Sequence, residues 1–537
     1  MLQTSLRGTV GGFHCRFAAF TVRRCRFLST DSRPVCEQNE ENRWRPNQTK
    51  IVSTIGPKSE HLPVLNKLIR NGVRVMRINL SHATNEEIDL RYNNLISCEG
   101  RRESHGYNEL LRGVMFDTKG PEIRTGILVD DDEKNGAIYL NRQNSITLET
   151  SEEWKTASTK DNLYISYKSL GSVVQRNSKV LLDDGAISLT VDRIASDGKS
   201  VMCTIDNNGW LKSRRGVNLP DTVLLDLPAL TDYDKEKLIY GLNKGMIDFV
   251  AASFIRKASD VRDVKEFIAH NLPEGVTTTP MVVAKIETQE AVDNFDEILR
   301  ESDAIMVARG DLGVEVPINE VTNIQKDLIT KCNVVGKPVV VATQMLESMT
   351  QNPRPTRAEV SDVANAVFDG SDCVMLSGET AAGDFPIETV VTMQKIIESS
   401  EAFKQPQLLR KIRVDAGRGT GRDAIAAAAK TAAEAIGAAA IIVLTKGGGT
   451  ARMISKHRPG VPIICFCEDC AVGRQLQLSR GCHPIGSLYN VPKLEMPEVA
   501  VGKAKAIGLL QPGDTYILVR GHQERALKTS LLLIGVV

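Results

Sequence analysis

No uncharged apolar run in the 537-residue chain approaches the roughly 18 residues that a membrane-spanning helix requires. The best, residues 435–445, is closed off by Glu434 and Lys446. A helical membrane protein is thereby excluded, and the expectation is a soluble protein with no membrane partner. Charge of one sign is lacking as well: 67 Lys and Arg face 66 Asp and Glu, a net charge of +1. So balanced a chain has no overall field to hold it on nucleic acid or an anionic surface, and any anion it binds is held locally. A disulfide framework is also missing. The eleven cysteines are an odd, scattered set, which points to a reducing compartment. Cys465, Cys467 and Cys470, with Cys482 and His483 downstream, contain one Cys-x-x-Cys and no matching second pair. A zinc or redox role is the minor reading there, and core or edge thiols the major one. Finally, the first thirty residues lack any acid, although they carry Arg7, Arg16, Arg23, Arg24 and Arg26. That is transit-peptide composition, or equally an isoform-type extension; either way residues 1–46 stand outside the fold. The compartment expected is the cytoplasm, or a mitochondrion or other organelle if residues 1–46 are a transit peptide.

What is present is ordinary globular material, 42% apolar and 25% charged, long enough for about three or four domains. From Lys50 onward, short Val- and Ile-rich runs recur at 50–54, 73–79, 113–117, 248–252, 281–286, 304–307, 338–342 and 373–376, each followed by an amphipathic stretch. Near-continuous apolar strands alternating with helices imply a parallel sheet covered by helices, and eight such units close into a TIM (β/α)8 barrel. Locally, Thr356 and Glu359 form a capping box and Gly370 a stop. The third and fourth runs are too far apart for one crossover. Between them come short alternating runs with turn signals at Asp183-Asp184-Gly185 and Asn207-Asn208-Gly209, read as hairpins of an inserted small antiparallel β-barrel domain. After the eighth run, Ala-rich 422–436, stopped by Gly437, leads into strands at 440–444, 461–466, 514–519 and 531–537, a C-terminal α/β domain. The expected organisation is an extension at 1–46, the barrel at 47–120 and 222–401, the β insert at 121–221 and the α/β domain at 402–537.

Side chains at the C-terminal ends of barrel strands converge on one mouth, so polar residues there are candidates for chemistry. Here they are Arg77, Asn79 and Ser81; Asp117, Thr118 and Lys119; Lys285 and Glu287; Asp311; Thr343 and Gln344; Ser377 and Glu379. Glu287 and Asp311 lie one strand–helix unit apart, which places them at one height on neighbouring strands about 4.8 Å apart. Such a pair suits Mg²⁺ or Mn²⁺ rather than zinc; alternatively Glu287 is satisfied by Lys285. Gly310 lets the backbone approach a ligand. With a divalent cation, Arg77 and Lys285 would equip the mouth to hold a small phosphorylated acid and to stabilise a transferring phosphoryl group or an enolate.

Longer motifs run in order along the chain: MRINLSH at 76–82, FDTKGPEIRTG at 116–126, RRGVNLP at 214–220, AKIET at 284–288, MVARGDLG at 306–313, ATQMLESM at 342–349, PRPTRAEVSDVANAV at 353–367 and MLSGETAAGDFP at 375–386. On these the chain resembles the pyruvate kinases from about residue 48 to its C-terminus. The resemblance implies transfer of the phosphoryl group of phosphoenolpyruvate to ADP, giving pyruvate and ATP in the last step of glycolysis, by a homotetramer whose β insert is a lid. It implies Lys285 and Thr343 as catalytic, and Glu287 and Asp311 as ligands of Mg²⁺ (or Mn²⁺). Arg77, Lys285, Gly310, Asp311 and Thr343 would contact phosphoenolpyruvate or its enolate. Asn79, Ser81, Asp117 and Thr118 would hold K⁺, and Asn79, His82, Arg124 and Arg215 would reach the nucleotide. Arg215 stands where the family commonly has Lys, and Ala83 where it usually has Gly. Glu122 matches members that depend on K⁺. A non-catalytic, metabolite-binding pseudoenzyme is the alternative, which loss of Lys285, Glu287 or Asp311 would have favoured. The resemblance further makes Thr445, Lys446, Gly447, Gly448, Gly449 and Thr450 an effector loop for fructose 1,6-bisphosphate, with a plain tight turn as the other reading. The late segment His522-Gln523-Glu524-Arg525 lacks the usual Trp and adds a carboxylate, so a weak or absent response is expected.

Overall fold

β-branched residues stiffen the backbone at χ1 and pack well on a pleated surface, and the eight Val- and Ile-rich runs are the strands of one sheet. The computed structural model describes residues 46–98, 111–129, 136–220, 222–403, 421–488, 490–521 and 530–537. The barrel strands are β1 (Lys50–Thr54), β2 (Val73–Asn79), β3 (Gly113–Asp117), β12 (Phe249–Ala252), β13 (Met281–Ile286), β14 (Ala304–Ala308), β15 (Val339–Ala342) and β16 (Cys373–Leu376). They close in the order β1-β16-β15-β14-β13-β12-β3-β2, every pairing parallel. Expected strand ends hold to within one residue.

Successive side chains of a strand point to opposite faces, and the core divides accordingly. Ile51, Val73, Ile78, Val114, Phe116, Val250, Val282 and Ile305 pack outward under the helices. Val52, Val75, Met115, Phe249, Ala251, Val283, Met306, Val340, Cys373 and Met375 fill the interior together with Leu478, which comes from beyond the barrel. Fully burying each large apolar side chain contributes about 1.5–3 kcal/mol, so these layers make the barrel a solid platform. Outside it, the helix Arg357–Asp369 starts on the capping box of Thr356 and Glu359 and stops at Gly370, whose φ of 93° is left-handed.

Between β3 and β12 the chain forms β4 (Ala137–Leu140), β5 (Ser145–Glu149), β6 (Asn162–Tyr164), β7 (Lys179–Leu182), β8 (Ile187–Ile194), β9 (Ser200–Ile205), β10 (Gly209–Lys212) and β11 (Val217–Asn218). They build a six-stranded sheet, β11-β7-β8-β9-β5-β6, and a two-stranded one, β10-β4, around a core of their own. Two details differ from the sequence expectation. The β5/β6 pair is parallel, as is the isolated Leu128–Ser158 bridge, whereas the other strand pairs of the insert are antiparallel. Asn207-Asn208-Gly209 is not a hairpin, because β10 pairs with β4 rather than with β9. The side chain of Asn207 explains this: its Oδ1 accepts the Ser188 N–H at 2.8 Å and its Nδ2 donates to the Ala186 carbonyl at 2.8 Å. The turn is thereby tied to β8, and the chain leaves the sheet.

The helix Gly421–Ile436 and Gly437 at φ 61° open the C-terminal region as expected. Its sheet comprises β17 (Ala440–Thr445), β18 (Ile463–Cys467), β19 (Cys482–Ser487), β20 (Thr515–Gly521) and β21 (Ser530–Val536), ordered β19-β18-β17-β20-β21. Sequence reasoning missed β19. Pro484 and Gly486 interrupt its apolar run, which an edge strand tolerates.

Candidate active site

The same alternation that packs the barrel interior delivers the polar groups of its mouth. On β2, Val75 is followed two residues later by Arg77; on β3, Met115 by Asp117; on β13, Val283 by Lys285 and then Glu287; after β12, Ala251 by Ser253. The register confirms the height, with Asn79 opposite Asp117 and Arg77 opposite Thr54.

These groups form one buried chain of contacts. Arg77 Nε donates to Asp117 Oδ2 at 2.6 Å and its Nη1 to Thr54 Oγ1 at 2.8 Å. Lys285 Nζ lies 3.2 Å from Asp117 Oδ1, 2.8 Å from Glu287 Oε1 and 2.7 Å from Ser253 Oγ. Burial alone would raise the Asp117 carboxyl, yet the charges of Arg77 and Lys285 outweigh it and hold the group below its ordinary range. Burial likewise opposes the Lys285 ammonium, but Asp117 and Glu287 overcome it and raise its pKa. Glu287 is fully buried and is pushed up to about 7, by burial first and by the neighbouring Asp311 against the pull of Lys285. Lys285 has two carboxylate partners, whereas Glu287 shares one ammonium with Asp117, so the uncompensated negative charge sits at Glu287 and Asp311.

That excess bears on a cation. Glu287 Oε2 accepts the Phe254 N–H at 2.6 Å. Oε1 has the Lys285 ammonium at 2.8 Å as its partner, which leaves it lone-pair capacity for a second cation. Among the described residues no group of three or more His, Cys, Asp or Glu is arranged to hold a metal ion, the Cys465, Cys467 and Cys482 neighbourhood included. A two-carboxylate, all-oxygen donor set, with Asp311 and Glu287 close enough to repel one another, fits Mg²⁺ or Mn²⁺. One expectation is corrected. Asp311 does not stand at a strand end level with Glu287; it lies in the first turn of the helix Arg309–Glu315, beyond the β13–β14 pairing of Ile286 with Val307. The strand yields early because Arg309 turns back, donating from Nε to the Ala342 carbonyl at 3.2 Å and from Nη2 to the Thr343 carbonyl at 2.7 Å.

Thr343 is held unusually. Its φ of 69° and that of Gln344, 53°, are left-handed, which costs a β-branched residue about 1–3 kcal/mol. Arg309 offsets the strain, anchored itself by Asp362 at 2.7 Å. Thr343 Oγ1 accepts the Gly310 N–H at 2.7 Å and donates to the Ala342 carbonyl at 2.6 Å. Glu379, fully buried, accepts from Leu346 N at 3.1 Å and Ser377 N at 2.6 Å, tying the loops after β15 and β16 together.

The insert reaches this mouth through its β7–β8 turn. Asp183 and Asp184 have φ of 52° and 55°, and a Cβ on Gly185 would stand 3.6 Å from Val314 Cγ1 of the Asp311 helix. The Asp184 carboxyl is raised by burial, then by Asp311 and Asp183, against Arg124 and Arg215. Arg215 lies 3.6 Å from Asp183, while Arg124 is tied to Glu122 Oε2 at 2.7 Å and to the Arg214 carbonyl at 2.8 Å. Arg124 and Arg215 are thus together beside Asp184, whose carboxyl also feels Asp311. His82 lines a cavity of about 290 Å³ with Ser81, Asn85, Tyr233 and Lys237. Asn79 Oδ1 accepts the Ser81 N–H at 3.1 Å, next to Asp117 and Thr118. Ser253 and Asp184 are site residues that sequence reasoning passed over. The two-residue step from Ala251 would have found the first; for Asp184 the turn signal was read and its carboxylate was not.

At the other end of the chain, the six-residue effector candidate bridges β17 and the helix Gly449–Lys456. Gly448, at φ 75°, donates to Thr445 Oγ1 at 3.1 Å, and Arg452 closes over the loop by donating to the Gly447 carbonyl at 2.7 Å. Lys446 is exposed, 3.9 Å from Glu468. Residues 522–525 lie outside the described residues.

Comparison with known proteins agrees with this geometry. A family model described as pyruvate kinase, barrel domain, matches residues 46–390, and one described as pyruvate kinase, alpha/beta domain, matches residues 423–534. The chain is 41% identical to the pyruvate kinase of Bacillus licheniformis, over 91% of this chain and 80% of that one. It is 42% identical to that of Clostridium acetobutylicum, over 88% and 96%, and 40% identical to that of Agaricus bisporus, over 88% of each. A crystal structure of a pyruvate kinase from Cryptosporidium parvum superposes with a TM-score of 0.83 at 36% identity, covering 91% of this chain and 96% of that one. With the barrel, the insert, the α/β domain and the charged mouth in place, the chain belongs to the pyruvate kinase family.

Proposed function

We infer that the protein transfers the phosphoryl group of phosphoenolpyruvate to ADP. The observation that carries this reading is the buried chain Arg77–Asp117–Lys285–Glu287 facing Asp311 and Thr343. The P–O bond to the enol breaks with its electron pair left on the enol oxygen, a terminal phosphate oxygen of ADP bonds to phosphorus, and the enolate takes a proton at its methylene carbon. Lys285, kept charged by two carboxylates, lies against the phosphoryl group in flight and counters charge that grows in the transition state. Arg77 holds the phosphorylated end, Gly310 and Asp311 the acid end, and Thr343 presents its hydroxyl on the side where carbon is protonated. A divalent cation held by Glu287 and Asp311 supplies Lewis-acid polarisation of the acid and phosphate oxygens when bound. Arg124 and Arg215 reach the nucleotide, and the insert excludes water that would intercept the phosphoryl group. The three residues whose loss would favour a pseudoenzyme all stand at the mouth. A coupled assay for pyruvate from phosphoenolpyruvate and ADP, with Mg²⁺ and K⁺, tests the reading; absence of pyruvate rejects it.

Two further results are expected. Glu287→Gln halves the charge of the carboxylate pair and shifts the Mg²⁺ activation midpoint about 10–100-fold upward; an unmoved curve places the cation elsewhere. Asn79, Ser81, Asp117 and Thr118 offer hard oxygens for K⁺, and Glu122, paired to Arg124, provides no local cation to replace it. Exchanging K⁺ for a bulky organic cation removes most activity, and full activity in K⁺-free buffer overturns that assignment. Among the described residues no helix is long and apolar enough to cross a membrane, and we place the enzyme in the cytoplasm, as a homotetramer. A reporter fused behind residues 1–46 tests the placement, and sedimentation the assembly. Bisphosphate control through residues 445–450 is read as weak; phosphoenolpyruvate saturation with and without fructose 1,6-bisphosphate tests it.

A further inference from the structure

The turn that ends β12, Ser253-Phe254, has no part in the scheme above, yet it touches both residues on which that scheme depends. Ser253 is 1% exposed. Its Oγ lies 2.7 Å from Lys285 Nζ, the shortest of the three contacts of that ammonium. Its hydroxyl donates to the Thr118 carbonyl at 2.6 Å, with Asp117 Oδ1 as a longer alternative acceptor at 3.3 Å, and either choice leaves an oxygen lone pair for the ammonium. Phe254 is left-handed, at φ 55°, a conformation that a bulky residue adopts only when its surroundings impose it. Its N–H is directed at Glu287 Oε2 at 2.6 Å. The loop after β3 closes on this turn from the other side. Ser253 N donates to Thr118 Oγ1 at 3.0 Å, and Gly120, at φ 73°, stands where a Cβ would meet Phe254 Cδ2 at 2.8 Å and Ser253 Cβ at 2.9 Å. The turn is therefore held from both sides, with the Ser253 hydroxyl oxygen on Lys285 and the Phe254 N–H on Glu287.

We propose that Ser253 and Phe254 are a positioning pair, the Ser253 hydroxyl setting the direction of the Lys285 ammonium and the Phe254 N–H occupying Glu287 Oε2 so that Oε1, the oxygen paired with Lys285, is the one turned to the cation. The inference rests on the roles given to Lys285 and Glu287 above. Groups that orient a reacting or ligating side chain typically matter by about 10–100-fold, and the two halves of the pair act on different observables.

The test uses the full-length protein and reads kcat, the KM for phosphoenolpyruvate and, without substrates, the Mn²⁺ dissociation constant by electron paramagnetic resonance. Ser253→Ala lowers kcat about 10–100-fold while KM and the Mn²⁺ constant stay within about threefold, and Ser253→Thr, which keeps the hydroxyl, recovers most of the loss. Phe254→Gly, which accepts the left-handed backbone, keeps Mn²⁺ affinity, whereas Phe254→Val weakens it about 10–100-fold. The proposal is overturned if Ser253→Ala leaves kcat within about twofold, or if it moves kcat and the Mn²⁺ constant together, as general loosening would. Should Phe254→Val not fold, the Ser253 variants decide alone. Lys285→Met and Glu287→Gln run alongside: if they leave kcat and Mn²⁺ binding intact, the reading of the site fails and this inference with it. If they do not, a null result at Ser253 rejects the positioning pair only.

Discussion

Replacing Lys285 with methionine lowers kcat roughly a thousandfold or more, with the KM for phosphoenolpyruvate changed by less than about threefold. The asymmetry follows from where the charge is held. Asp117 and Glu287 already neutralise the ammonium in the resting site, at 3.2 and 2.8 Å, so little of its charge is free to bind the ground state. Phosphoryl transfer loads charge onto the equatorial oxygens, and only then does a third partner compete for Lys285. Interactions that strengthen in the transition state appear in kcat rather than KM. Methionine preserves length and apolar bulk, which avoids a cavity beside Arg77 and Ser253. It also leaves Asp117 with Arg77 as its one ion-pair partner, so the variant should bind substrate while turning over poorly. Steady-state kinetics across a phosphoenolpyruvate series decide the matter. A KM effect that exceeds the kcat effect would mean that Lys285 is a ground-state anchor and that another group meets the transferring phosphoryl.

Most of the architecture was legible because buried parallel strands are apolar on both faces and punctuated at both ends. Runs such as 73–79 and 281–286 needed no partner to be recognised, and the alternation that put Val75 inside also put Arg77 at the mouth. Pairing was less legible. β10 follows a turn signal typical of a hairpin, but Asn207 spends its side chain on β8, and no local pattern reveals such a long-range hydrogen bond. β19 was hidden by Pro484 and Gly486, which weaken propensity without preventing an edge strand. In the site, Asp311 was placed at strand height because spacing is blind to where Arg309 turns the chain. The ligand roles of Asn79, His82, Arg124 and Arg215 came from resemblance alone, and the geometry adds that the two arginines share the surroundings of Asp184. Ser253, just past the end of the fourth run, was passed over, since its importance lies in being 2.7 Å from an ammonium 32 residues away in sequence but adjacent in the barrel.

Lys50→Met is expected to make the protein more stable at neutral and mildly acidic pH and to abolish a rise in stability that the parent shows toward alkaline pH. Lys50 opens β1 at the end of the barrel opposite the mouth and is 2% exposed. Among the described residues it makes no ion pair with a carboxylate, and its Nζ lies 3.1 Å from His483 Nδ1. Arg74 on β2 opposes its charge, while Cys482, Cys373 and Cys465, on β19, β16 and β18, favour it. Burial, then Arg74, lowers the Lys50 pKa from 10.5 to about 7. His483 is likewise held well below its ordinary value, by burial first and then by Lys50 and Arg74. For a base depressed by folding, the unfolded chain binds the extra proton, so stability rises with pH between the folded and unfolded values, here from about 7 to about 10.5. The slope is about 1.4 kcal/mol per pH unit and the whole effect on the order of 5 kcal/mol. Below pH 7 both states are protonated at Lys50 and the cost is fully present. His483 adds a separate loss as pH falls below about 6.5, which the variant retains. Methionine supplies a side chain of similar length with no charge to desolvate, and Met115, Phe249 and Leu478 already line that interior. Urea midpoints for parent and variant at pH 6.5, 8 and 9.5 give the difference curve. It should be largest at pH 6.5, with the variant ahead, and shrink steadily by pH 9.5. A gap that does not change with pH would mean that Lys50 keeps its proton throughout, and that the floor of the barrel accommodates a buried cation without titrating it.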